Sequence, residues 1–445
     1  AAVLSAGFLV ETMARFRGNH NFQSRVEFME MARALFPNWI YLAIFTLFLF
    51  NITTSNVSAI LESAQTLDNS LLMVFGKVCA LELTPDPGVI CVEKIKKSMQ
   101  DSDSVFGEDI CYVSFGYVAL ALISIPVGLW NLEENMTIQI ASCAALCIIL
   151  LQFCLQFFNN GLHPEYVPIS KLGAGAGVSL GSILFNFAFV VTVPSWVNEK
   201  RRDVSIRKTL SYSMVTGALM FAAMGLVGSM AYKFPHGADL LAKLSYPNQW
   251  MLTRVLAQLF PPLVLVPGIP ILSIVVRYNL LENRCCGPLV ANLVSVALPW
   301  LVALISMSGN NLNVILNWSG LLTVAPLNFL IPCAMYLKSG ECTTAKKQVR
   351  RMDDYTGENK EEEVGVSMRS VRRVYTIESE GTNKKVDSQG ETVEPSWRLL
   401  PFMSERMSEA VAWIVISVIA TLNVSAILLA IRGLLIHDGI LLPSA

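Results

Sequence analysis

The sequence predicts an all-α integral membrane protein, and three observations carry that reading. Of 445 residues, 53% are hydrophobic and only 15% are charged, against roughly 25% charged in soluble domains. The mean hydropathy is +0.51. The charges are bunched between long apolar runs, so a water-exposed surface of this size would be left largely uncovered. The same numbers exclude disorder, a disulfide mini-domain and an ordinary soluble enzyme. A net charge of -1 leaves no basic face, so no nucleic-acid partner is expected.

A helix needs about 20 apolar residues to cross the hydrocarbon core. Nine segments meet this length: 38–61, 113–131, 136–157, 174–196, 209–232, 252–276, 288–308, 312–337 and 408–431. Residues 1–14 are shorter and lack the basic region and cleavage site of a signal peptide. They read as the end of a helix that starts upstream of Ala1. If the segment after residue 14 faces the cytoplasm, cytoplasmic loops carry 16 Lys and Arg and the opposite side 7, which is the positive-inside asymmetry. The C-terminus then lies outside.

Three polar segments interrupt this pattern. Residues 24–36 set Val26, Met29 and Phe36 on one helical side among Arg25, Glu27 and Arg33. That spacing predicts an amphipathic helix on the cytoplasmic surface. Residues 62–112 form a long outer loop holding Cys79, Cys91 and Cys111; the thiols allow three alternative pairs, and one disulfide is expected. Residues 339–404 hold 11 Lys/Arg and 12 Asp/Glu with few apolar residues, the composition of a disordered cytoplasmic linker. Cys143, Cys147 and Cys154 share one apolar helix and read as lipid- or core-facing fillers.

No catalytic constellation can be assembled. The four histidines lie in loops or tails, and neither a Ser/His/Asp set, an H-E-x-x-H motif nor a P-loop occurs. The nine spans carry almost no ionisable residue, so an enzyme is not expected and no carboxylate relay is visible. What the spans carry is helix breakers. One run is Gly173 to Gly181 followed by Phe185 to Trp196, with Pro194 expected to free the Val190 carbonyl beside Thr192. A second is Pro261-Pro262 with Pro267 and Pro270; a third is Asn317 to Gly320 with Pro326, Asn328 and Pro332. Irregular backbone is tolerated in lipid only where protein or a water-filled cavity surrounds it. Bare helix ends at mid-membrane can hold a zwitterion without charged side chains. Three interrupted helices favour a transporter over a structural bundle.

Taken in order, these segments resemble the amino acid/auxin permease family, which contains sodium-coupled neutral and vacuolar amino-acid transporters. The stretch from Phe187-Ala188-Phe189 to Val197-Asn198-Glu199-Lys200 is similar to its sixth span. Pro270 to Ser273, with Val276-Arg277 and Glu282, resembles the eighth span. Asn317 to Gly320, then Pro326 to Pro332 and Tyr336 to Lys338, resembles the tenth. The resemblance implies a LeuT-like inverted-repeat bundle (the APC superfamily) with family spans two to eleven present. Residues 1–172 would complete the first repeat, 173–338 form the second, 339–404 the linker, and 405–445 a final span and outer tail.

The same resemblance implies secondary active transport of an amino acid by alternating access, with substrate bound at mid-membrane by broken helices. It assigns substrate binding to Phe187, Ala188, Phe189, Val190, Val191, Thr192 and Asn328. Val190-Val191-Thr192 stand where many family members have a more polar Glu-Gly-His type of sequence. No cofactor is expected; the coupling ion would be sodium or a proton, with Ser273 as the sodium-site residue. The partners are the amino acid and the lipid bilayer, in a plasma or a vacuolar/lysosomal membrane. An amino-acid sensor signalling through the linker is the alternative.

Overall fold

The structure is a computed structural model that describes residues 1–16, 24–84, 87–93, 111–130, 134–167, 186–233, 240–246, 248–307, 319–340 and 403–437, with Asn19, Phe22, Phe106, Leu132, Ile183, Leu184, Arg398 and Leu399. The Gly173–Gly181 run, Asn317, Trp318 and most of the 339–404 linker lie outside the described residues. Helix α1 spans Ala2–Arg15, α2 Phe28–Leu35 and α3 Asn38–Phe75. Strands β1 (Lys77–Thr84), β2 (Gly88–Glu93) and β3 (Cys111–Ser114) follow. Then come α4 (Phe115–Gly128), α5 (Met136–Asn160), α6 (Val193–Glu199), α7 (Ile206–Ala231) and α8 (Leu240–Leu244). Helices α9 (Met251–Glu282), α10 (Pro288–Ile305), α11 (319–340) and α12 (Glu405–His437) complete the chain.

Among the described residues, six helices are long and apolar enough to cross a membrane: α3, α5, α7, α9, α10 and the Glu405–Leu428 part of α12. Their outward side chains have the wrong polarity for water. Ile140, Ile148, Leu151 and Leu155 on α5 are exposed, as are Val215, Leu219, Phe221 and Leu226 on α7. Apolar surface this continuous is stable against lipid, so this is a multi-pass membrane protein. Cys143 and Cys147 are exposed on the same helix α5, as fillers of a lipid-facing surface.

By packing, the chain forms two compact units, 1–48 with 183–211 and 321–428, and 49–182 with 212–320 and 429–445. Each unit draws on both of the expected repeats.

Helix α3 is longer than its expected span of 38–61. No Gly or Pro interrupts residues 38–75, and Gly76 ends the helix at φ +71°, its amide returning to the Leu72 carbonyl at 2.9 Å. Its 38 residues make a rod of about 57 Å, nearly twice the hydrocarbon core. Glu62 and Asp68, expected in a loop, are therefore on the helix. Beyond Gly76, the described residues 77–84, 88–93 and 111–114 of that loop are strands. They form an antiparallel sheet of order β2-β1-β3, an element the all-α expectation did not contain. Cys79 lies opposite Cys91 in register, and these two form the disulfide, leaving Cys111 a free thiol at the start of β3.

The described parts of two expected interruptions contain π turns. In α9, residues Pro261–Leu265 make a π turn, in which the Val266 amide reaches the Pro261 carbonyl at 3.3 Å, before a two-residue turn. In α11 the π turns Gly320–Val324 and Pro326–Leu330 run on into regular helix. An extra residue per turn shifts the hydrogen-bond register around a proline, so the rod need not break. Where α4 does end, Arg277 of α9 donates to the Gly128 and Leu129 carbonyls at 3.2 and 2.9 Å and to that of Trp130. A buried cation thus satisfies orphan C-terminal carbonyls.

Candidate functional site at residues 187–199

In the first unit, residues 187–189 are a turn, Val190–Thr192 a short 3-10 helix, and Val193 begins α6. This expected interruption passes from turn through 3-10 helix into α-helix. Its cause differs from the expected one. Pro194 sits in the first turn of α6, where a missing N–H costs nothing. The Val190 carbonyl is not freed; it accepts from the Val193 amide. The break precedes the proline instead of following from it.

The interruption is held from α11. Asn328 is fully buried, and its Oδ1 accepts from the Val191 amide at 3.2 Å, while its Nδ2 donates to the Val324 carbonyl at 3.3 Å. One side chain thus ties a π turn to a 3-10 turn and satisfies a backbone donor that a continuous helix would have paired internally. Helix α1 packs against α6, the 3-10 turn and the Pro326–Leu330 turn. Its Phe8, Leu9, Val10 and Met13 are fully buried.

The seven expected substrate residues separate by exposure. Phe187, Ala188, Phe189 and Thr192 are half-buried, whereas Val190 and Val191 are core side chains. The two valines can offer a solute only backbone. Thr192 Oγ1 donates to the Phe189 carbonyl at 2.7 Å, which leaves its lone pairs as acceptors. Asn328 acts through Val191 and is a positioning residue. Ser273 lies in the other unit. It is buried on α9, and its Oγ accepts from Asn56 Nδ2 of α3 at 3.0 Å. The Asn56 Oδ1 beside it has no partner among the described residues. Two neutral oxygens do not by themselves make a sodium site, so no step is derived through that ion.

A cluster that sequence reasoning assigned to the surface is buried beside the interruption. Glu27, the residue before α2, is 1% exposed. Its carboxylate accepts from Ser195 Oγ at 2.6 Å and from Asn198 Nδ2 at 2.9 Å, both on α6. Asn198 also exchanges hydrogen bonds with the Val26 backbone, 3.3 Å each way. The apolar face of the amphipathic segment is covered by protein: Phe28, Met29, Met31 and Ala32 of α2 are fully buried within the unit, with Phe28 stacked on Phe48. The sequence signal was available. An acid flanked directly by Val26, Phe28 and Met29 stands where solvent does not reach.

A second buried acid lies on α1. Glu11 pairs with Arg15 at 3.1 Å and accepts the Leu399 amide at 3.0 Å. The Leu399 side chain fills the notch at Gly7, where a Cβ would stand 2.2 Å from its Cδ1. Arg207 donates to the Arg398 carbonyl. The segment that ends the charged linker is therefore seated on α1 and α7 residues of the same unit. No protein-family model matches this chain, and no curated protein matches it.

Proposed function

We propose that this chain is a secondary active transporter of a neutral amino acid, of the amino acid/auxin permease type that its motifs resemble. The observation that carries the reading is the interruption at 187–192. There a membrane protein holds half-buried side chains and turn backbone at a helix start, supported from α11 by Asn328. The N-terminal dipole of a helix favours a carboxylate, and half-buried Phe187 and Phe189 offer apolar contact to a neutral side chain. Two buried carboxylates, Glu27 and Glu11, position the elements around this segment and are taken up by their own partners. They are not assigned to the solute. The coupling gradient drives the cycle by alternating access.

The test is uptake by full-length protein in proteoliposomes under an imposed ion gradient. Accumulation of a neutral amino acid supports the reading, and absence of flux for every amino acid rejects it. A sensing role is the second reading, favoured by the seating of Arg398 and Leu399 on α1 and α7. Saturable amino-acid binding without flux, with release of that segment on binding, would select it.

A further inference from the structure

Helix α3 carries a carboxylate that none of these roles uses. Asp68 is 1% exposed. Its Oδ1 accepts from the Gly116 amide, in the first turn of α4, at 2.9 Å. Its Oδ2 is buried with no hydrogen-bond partner among the described residues. The approach is built into the sequence: a Cβ at residue 116 would stand 2.6 Å from Oδ1 and 3.0 Å from the Ala64 carbonyl. Glycine alone lets the carboxyl reach the positive end of α4. Ser114, which caps α4 by accepting from the Tyr117 amide at 3.1 Å, contacts the same carboxyl. Helices α3 and α4 contribute Leu61, Ala64, Leu72, Tyr117 and Leu120 to the same apolar core cluster.

Among the described residues, the charged and titratable groups nearby do not serve Oδ2. Tyr112 on β3 donates to the Met307 carbonyl at 3.3 Å, and Tyr117 on α4 to the Trp300 carbonyl at 2.6 Å. Cys111 on β3 faces the Leu304 carbonyl. Lys77 at the start of β1 pairs with Glu93 at the end of β2, both exposed. Helix α10 has no titratable side chain, Glu62 is the other acid on α3, and α9 brings Arg254, Arg277 and Glu282. Among the described residues, no Lys, Arg or His forms an ion pair with Asp68. A buried carboxylate with one satisfied oxygen is half-compensated as an anion, and neutralising it removes the charge that burial penalises.

We propose that Asp68 is a proton-binding site. Oδ2 takes a proton from solvent to give the neutral acid in the closed junction of α3 and α4. When water reaches the junction, the proton returns to solvent. The carboxylate, its charge shared between Oδ1 and Oδ2, then holds the α4 N-terminus as an anion, so proton release and the grip of α3 on α4 are linked. This goes beyond the transport reading in its binding step. It rests on that reading only in assigning the proton as coupling ion.

Infrared difference titration of full-length protein in nanodiscs tests the binding step without substrate. Wild type is expected to show a protonated-carboxyl carbonyl band that grows as the pH falls below neutral and that Asp68→Asn lacks. Asparagine keeps an acceptor for Gly116, so the variant is expected to melt at the wild-type temperature. A wild-type spectrum with no such band, or the same band retained in Asp68→Asn, overturns the proposal and leaves Asp68 a helix cap only. In proteoliposomes of a wild type that transports, solute-driven proton movement is expected to disappear in Asp68→Asn. Undiminished proton movement in the variant would overturn the coupling assignment alone, and absence of all solute flux would reject the transport reading while the infrared result stands.

Discussion

Asn328 gives the clearest single-residue test, because its one acceptor serves one buried amide. Asn328→Ala leaves the Val191 amide without its partner, at a cost of about 1–3 kcal/mol for an unsatisfied buried donor. Thermal unfolding of the purified variant is expected to show that loss as a lower midpoint. An unchanged midpoint would mean that Val191 finds another acceptor and that Asn328 does not hold the interruption. The sequence marked Asn328 as a polar group in an apolar stretch, which needs a partner in lipid. It could not mark which amide, because the partner is 137 positions away. Glu27 was misread for a related reason. Alternation with Arg25 and Arg33 resembles a polar helix face and masks the apolar flank of Val26, Phe28 and Met29, while the tertiary partners Ser195 and Asn198 hold the acid inward. Asp68 escaped because an apolar run was taken to end at residue 61, whereas helix continues while nothing breaks it.

Among the elements, those with strong local signals were legible. The long apolar helices follow from length and composition, and six are present at expected positions. Helix breakers were harder to interpret, since a proline marks a disturbance without saying which kind. At Pro194 it opens a helix, at Pro261 it sits in a π turn that leads into a two-residue turn, and at Pro326 in a π turn that runs on into helix. Pro194→Ala is accordingly expected to change stability by less than about 1 kcal/mol and to leave uptake intact, measured by thermal unfolding and flux. A loss near the roughly 3 kcal/mol typical of helix-interior proline effects would show that the ring itself sets the interruption. The sheet was not legible, because its strands pair within a polar loop that hydropathy treats as one segment. Its disulfide gives a direct check. Mass spectrometry of unreduced peptides is expected to link Cys79 to Cys91, with Cys111 open to alkylation after unfolding. A Cys111-containing linkage would contradict the register of β1 and β2.

At the scale of the whole molecule, function depends on whether the interruption at 187–192 meets a solute. The apolar outer surfaces of α5, α7 and α12 place the chain in a bilayer, and that much follows from composition alone. The identity of the solute does not, since Val190 and Val191 are core side chains and the segment offers backbone, two aromatic rings and one hydroxyl. Under the proposed function, such a surface would select a size and a dipole more than a particular side chain. The most direct measurement is neutral amino-acid uptake by full-length wild type and Thr192→Trp in matched proteoliposomes, with equal insertion and equal melting temperature established first. An indole at 192 fills the half-buried edge of the turn, so uptake is expected to fall to background while the fold persists. Uptake by Thr192→Trp equal to wild type would contradict the claim that the solute binds there.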